Sequence, residues 1–148
     1  MKIAVFPGSF DPFSIGHASI VRRALPLFDK IVIGIGGNEN KKYFYPIEER
    51  LRLIRELYSD EPKVSVEAYD DLTVDFASRM EATYIVKGIR SVKDFEYERD
   101  MANMNHRLTG IETVLLFTEP QMGDVSSTII RELAHYGKDI SEFVPRHK

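Results

Sequence analysis

Lys2-Ile3-Ala4-Val5-Phe6-Pro7-Gly8-Ser9-Phe10-Asp11-Pro12-Phe13-Ser14-Ile15-Gly16-His17 decides the fold. Lys2 to Phe6 is a short apolar run rich in β-branched residues, the pattern of a strand buried on both faces. Pro7-Gly8 breaks it, two prolines stiffen the loop that follows, and a helix is expected to start near Gly16. The same kind of run recurs at Lys30 to Ile35, Val64 to Ala68, Tyr84 to Lys87 and Glu112 to Phe117. Five such strands point to a parallel sheet.

Helical spacing fills the gaps. Ile20, Ala24, Leu27 and Phe28 share one face after Gly16, and Ile47, Leu51, Ile54 and Leu57 share another after Pro46. Thr73 to Met80 is a shorter helix. Tyr97, Met101, Met104 and Leu108 predict a long one over Lys93 to Leu108, stopped by Gly110. Ser126 to Tyr136 closes the series, capped by Ser126 or Ser127, with Ile129, Ile130 and Leu133 turned inward. Strand and helix alternate throughout, which predicts an α/β, Rossmann-like, doubly wound five-stranded parallel sheet with helices on both faces. Residues 1–148 read as a single domain, of which about 137–148 form a short polar extension. Ligands of such sheets bind beyond the carboxyl ends of the strands, where strand order reverses; strands one and four are expected to flank that point.

Composition narrows the partners. The 20 basic and 23 acidic residues leave a net charge of −3 without long blocks, no footprint for nucleic acid or an anionic membrane. With no cysteine, disulfide, thiolate-metal and cysteine-nucleophile chemistry are excluded. The apolar run at the N-terminus is too short for a signal peptide or a membrane span, so a cytoplasmic location is expected.

Four segments carry chemistry. Gly8 lets the backbone turn close to a ligand, and the helix start at Gly16-His17 offers free N–H groups and the positive end of its dipole to a phosphate. Ser9 and His17 add a hydroxyl and a ring N–H. Gly36-Gly37-Asn38-Glu39-Asn40 leads into Lys41-Lys42, cations able to reach a phosphate. Lys87-Gly88-Ile89-Arg90 follows the fourth strand, where Arg90 can fork two phosphate oxygens. Gly123-Asp124-Val125-Ser126-Ser127-Thr128 supplies hydroxyls at a further helix start. Taken singly, each also reads as an ordinary turn, solvated loop or capped helix.

The string Gly8-Ser9-Phe10-Asp11-Pro12 followed by Gly16-His17 resembles the nucleotidyltransferases with an HxGH or TxGH motif, Ser14 standing where they have His or Thr. With Lys41-Lys42, Asp71-Leu72, Gly88-Ile89-Arg90, Asp94-Phe95-Glu96-Tyr97-Glu98, Met104-Asn105 and Val125-Ser126-Ser127-Thr128, the chain resembles the phosphopantetheine adenylyltransferases from Lys2 to Pro145. That resemblance implies transfer of AMP from ATP to 4′-phosphopantetheine, giving dephospho-coenzyme A and pyrophosphate, without a covalent intermediate. It implies His17, Lys41, Ser9 and Arg90 around the reacting phosphates. It places ATP against Ser9, Phe10, His17, Gly88, Ile89, Arg90, Glu98, Met122, Gly123, Asp124, Val125, Ser126, Ser127 and Thr128. Phosphopantetheine would meet Ser9, Lys41, Leu72, Thr73, Lys87 and Asn105, with Lys87 at a position where the family usually has Arg. Mg²⁺ would be held mainly by the ATP phosphates with no metal ligand assigned to the chain, and the assembly would be a homohexamer. Nicotinamide mononucleotide adenylyltransferase, glycerol-3-phosphate cytidylyltransferase and a non-catalytic nucleotide-sensing module are the alternatives.

Overall fold

The computed structural model describes residues 1–37 and 42–146. Strands β1 (Ile3–Gly8), β2 (Lys30–Gly36), β3 (Val64–Tyr69), β4 (Tyr84–Ile89) and β5 (Glu112–Phe117) form one sheet in the order β3-β2-β1-β4-β5. Every pairing is parallel. Alternation along β1 shows why its sequence is apolar throughout. Ala4 and Phe6 join one core with Ile20, Val21 and Ala24 of helix α1 (Ile15–Ala24) and Ile54 of α2 (Ile47–Leu57). Ile3 and Val5 join a second core with Val74, Phe76 and Ala77 of α3 (Thr73–Arg79). Helices therefore cover both faces, as expected. The chain leaves β3 at one edge and re-enters at β4, on the other side of β1, so strand order reverses between β1 and β4.

Two expected core positions lie outside. Leu27 is 47% exposed because α1 ends at Ala24 and tightens into a 3₁₀ turn at Leu25–Leu27; Pro26 has no N–H to continue the α-helical ladder. In α5 (Ser127–His135), Ile130 is buried but Ile129 is 48% exposed. That helix turns Ser127 and Arg131, four residues apart, toward the loop after β1.

Helix α4 (Val92–Thr109) ends where Gly110 takes the left-handed conformation at φ 80°, as Gly110 predicted. None of its residues is buried; the Tyr97, Met101, Met104 and Leu108 stripe faces a cleft rather than the sheet. The tail after α5 is more than a polar extension. Ile140, Val144 and Pro145 line an apolar hollow of about 190 Å³ with Phe13, Leu53 and Leu57, and the Phe143 carbonyl accepts the Ile15 N–H at 2.9 Å.

Candidate active site

The loop between β1 and α1 is built to stay in one conformation. Gly8 is required because a Cβ there would lie 2.8 Å from the Phe10 ring, which folds back beneath it. Phe10 itself has φ 49°, a left-handed conformation that disfavours a side-chain-bearing residue by roughly 1–2 kcal/mol. Its neighbours over-determine it. The Arg50 guanidinium, buried on α2, donates to the Ser9 carbonyl at 2.7 Å and the Tyr45 carbonyl at 2.9 Å. The buried Asp11 carboxylate accepts the Phe44 and Tyr45 N–H groups, each at 2.8 Å. From α5, Arg131 donates to the Asp11 carbonyl and Ser127 to the Pro12 carbonyl, both at 2.7 Å.

His17 is fixed by the residue that departs from the family motif. Ser14 is the N-cap of α1: its N–H donates to His17 Nδ1 at 2.9 Å, and its hydroxyl accepts the His17 N–H at 3.3 Å. With Nδ1 accepting, the ring proton belongs on Nε2. Phe10 and Phe13 hold the ring edge-on and tilted at 4.9 and 5.3 Å between centroids. Desolvation first, then the Lys87 and Arg90 charges, push the His17 pKa down to about 4. The side chain is thus a neutral hydrogen-bond donor at physiological pH.

Two clefts open at the carboxyl ends of β1 and β4. The first, about 370 Å³, takes its lining from the β1 loop, the start of α1, the end of β4 and the start of α5. Among the described residues its side chains include His17, Lys87, Arg90 and Arg131 and not one carboxylate, in a chain whose net charge is −3. The second, about 380 Å³, is walled by Leu72, Val74, Ile85, Met101, Met104 and Leu108, with Thr73 and Asn105 among its polar groups. Pro7, Gly8 and Lys87 line both. Lys87 pairs with Glu98 at 3.5 Å.

Known proteins resemble the chain in sequence and in fold. A family model described as Cytidylyltransferase-like matches residues 5–133. The phosphopantetheine adenylyltransferase of Bacteroides fragilis is 59% identical, over 99% of this chain and 97% of its own. That of Bacteroides thetaiotaomicron is 60% identical, over 98% and 96%. The chain belongs to the phosphopantetheine adenylyltransferase family. Solved structures at lower identity share the fold. A nicotinate-nucleotide adenylyltransferase described as putative, from Vibrio parahaemolyticus, superposes with a TM-score of 0.64 at 22% identity, covering 99% of this chain and 95% of that one. A bifunctional NMN adenylyltransferase/ADP ribose pyrophosphatase of Francisella tularensis, complexed with AMP and Mn ion, gives 0.74 at 18%, covering 99% of this chain. This chain spans 45% of the length of that bifunctional protein.

The residues expected from the family's pattern divide by place. Ser9, Phe10, His17, Gly88, Arg90, Val125, Ser126, Ser127 and Thr128 line the first cleft, and Leu72, Thr73 and Asn105 the second. Glu98, which the resemblance sets against ATP, lines the second cleft, beside Lys87. The Ile89 side chain is buried in the core; only its backbone is available to a ligand. Met122, Gly123 and Asp124 precede the first cleft's α5 wall without lining it. Ser127 spends its hydroxyl proton on the Pro12 carbonyl, so it also braces the loop. Lys41 lies outside the described residues. Arg131 and Thr118 line the first cleft without having been singled out. The signal for Arg131 was its position four residues after Ser127, one turn along the same helix face.

Proposed function

We propose that the chain transfers the adenylyl group of ATP to 4′-phosphopantetheine, yielding dephospho-coenzyme A and pyrophosphate in coenzyme A synthesis in the cytoplasm. The observation that carries this is the pair of clefts meeting at Gly8 and Lys87: one cationic and free of carboxylates, suited to a triphosphate, the other long-walled and apolar, suited to a pantetheine arm. Two substrates laid in them bring their phosphates together at the shared wall. The family relatives' names support the same pair.

An oxygen of the acceptor phosphate forms the new bond to the α-phosphorus of ATP, and the bond from that phosphorus to the bridging oxygen of the β-phosphate breaks, releasing pyrophosphate. The acceptor is already anionic at neutral pH, because the second phosphate pKa is about 6, so no base is needed. His17, too weakly basic to take a proton, donates from Nε2 to the α-phosphate as charge shifts onto its oxygens. Lys87 holds the acceptor phosphate as a point charge, while Arg90 and Arg131 neutralise the departing pyrophosphate. Ser9 offers its hydroxyl from the first cleft, and the family resemblance adds Lys41 as a further cation for the reacting phosphates. Among the described residues no three His, Asp or Glu side chains are grouped to cage a metal. Mg²⁺, held mainly by the ATP phosphates as the resemblance implies, would withdraw negative charge from them. The assembly is a homohexamer in this reading.

Pyrophosphate release decides the matter: ATP or CTP is offered with phosphopantetheine, nicotinamide mononucleotide or glycerol 3-phosphate. Release with ATP and phosphopantetheine alone is the expected result. Release with another pair reassigns the substrates, and none with any pair leaves a nucleotide-sensing module.

A further inference from the structure

Tyr69, at the end of β3, carries a hydroxyl that the reaction above does not use. Its ring lies flat on Phe76, with centroids 4.3 Å apart and planes 8° apart. Two glycines make room for it: a Cβ on Gly34 would stand 2.5 Å from Phe76 and 3.1 Å from Tyr69, and one on Gly36 would stand 3.1 Å from the Tyr69 hydroxyl. The phenol is therefore aimed rather than free to swing, and it lines the acceptor cleft beside Leu72, Thr73 and Val74.

There the Tyr69 hydroxyl meets the Thr73 hydroxyl at 2.8 Å. Two hydroxyls own two protons, and the bond between them uses one. No other partner takes the second proton among the described residues. Burial raises the Tyr69 pKa, so the phenol remains a donor through the neutral range. On this apolar wall, a ligand with no acceptor at that point would leave the proton unmatched, whereas one with an amide carbonyl there would accept it. From α4, the Asn105 carboxamide lines the same cleft and offers both a donor and an acceptor to the same kind of group.

We propose that the Tyr69–Thr73 hydroxyl pair is a specificity determinant of the acceptor cleft, donating one hydrogen bond to an amide carbonyl in the arm of the acceptor. The inference rests on the adenylyltransferase reading. Tyr69→Phe keeps the ring and its stacking, and Thr73→Val keeps the shape of the other partner. Both variants and the double variant are assayed in the full chain with MgATP and 4′-phosphopantetheine, alongside thermal unfolding. Because either hydroxyl left alone keeps one proton, the double variant is expected to raise the acceptor KM roughly fivefold to tenfold, the effect of one such hydrogen bond, with smaller rises in the single variants. The KM for ATP, kcat and the unfolding midpoint should stay near the wild-type values. The double variant should be worse than either single one, because each hydroxyl can stand in for the other as donor. An unchanged acceptor KM in the double variant overturns the proposal, as do equal losses for both substrates. A wild-type chain that turns over no phosphopantetheine overturns the parent reading and this inference with it; wild-type turnover with an indifferent double variant overturns this inference alone.

Discussion

His17 donates because Ser14 makes it do so. The Ser14 N–H occupies Nδ1 and leaves Nε2 to carry the proton, so serine serves the position as long as its backbone and hydroxyl close the cap. His17→Ala removes the donor and should lower kcat about a hundredfold or more, with a smaller change in the KM for ATP; near-normal turnover in a pyrophosphate assay would remove His17 from the mechanism. The same side chain shapes stability against pH. Its pKa is 6.5 when unfolded and about 4 in the fold. Between those values the unfolded chain binds a proton that the folded chain does not, so stability falls as pH falls through that window. Because the residue is only partly buried, the loss should be on the order of 1–3 kcal/mol rather than the full value of the shift. His17→Asn abolishes this titration. Urea midpoints at pH 7 and pH 4.5 should therefore differ less in the variant than in the wild type, and equal differences would show that the ring is not held neutral.

At the scale of elements, the site is a strained loop braced from two helices. Arg50 on α2 and Arg131 on α5 take the carbonyls of Ser9 and Asp11, and Ser127 takes that of Pro12. A lysine at position 50 reaches one carbonyl but not two, since it lacks the fork. Arg50→Lys should lower stability by about 1–3 kcal/mol, the range for leaving one buried polar group unmatched. The urea midpoint falls at unchanged slope, and the KM for ATP rises as the Ser9 end of the loop loosens. If both hold at wild-type values, α2 is not a brace. These supports explain what the sequence conceals. The strands, the turn at Gly8 and the reversal between β1 and β4 are written in apolar periodicity, which burial on both faces imposes directly. Arg50 and Arg131 are charged residues on amphipathic helices, and periodicity puts charge in water; only the folded loop reveals the carbonyls that draw them in. The cleft that Glu98 lines is hidden for a related reason. Helix spacing gives the relative phase of Tyr97, Glu98 and Met101 but not the rotation of α4 against the sheet, so the cleft that receives Glu98 is not in the spacing. Leu27 was misplaced because Pro26 changes the helix type beneath an unchanged apolar pattern.

The whole molecule leaves one surface unexplained by its own core. Among the described residues no helix is long and apolar enough to cross a membrane. Yet α4 exposes Val92, Phe95, Tyr97, Met101, Met104 and Leu108. The acceptor arm proposed for the second cleft would cover four of these, Tyr97, Met101, Met104 and Leu108. Val92 and Phe95 line neither cleft, and Val92 is 74% exposed. Apolar side chains displayed together beside an active site suit a second copy of the chain better than water does. The hexamer implied by the family resemblance would give a particle of about 100 kDa from chains of 17.0 kDa. Light scattering at micromolar concentration should read that mass, and the thermal midpoint should rise with protein concentration, because assembly binds the folded state alone. Val92→Glu with Phe95→Glu should lower the mass while leaving the far-ultraviolet circular dichroism of the folded chain intact. A wild-type mass near that of one chain, with a midpoint independent of concentration, would show that α4 is covered by ligand alone.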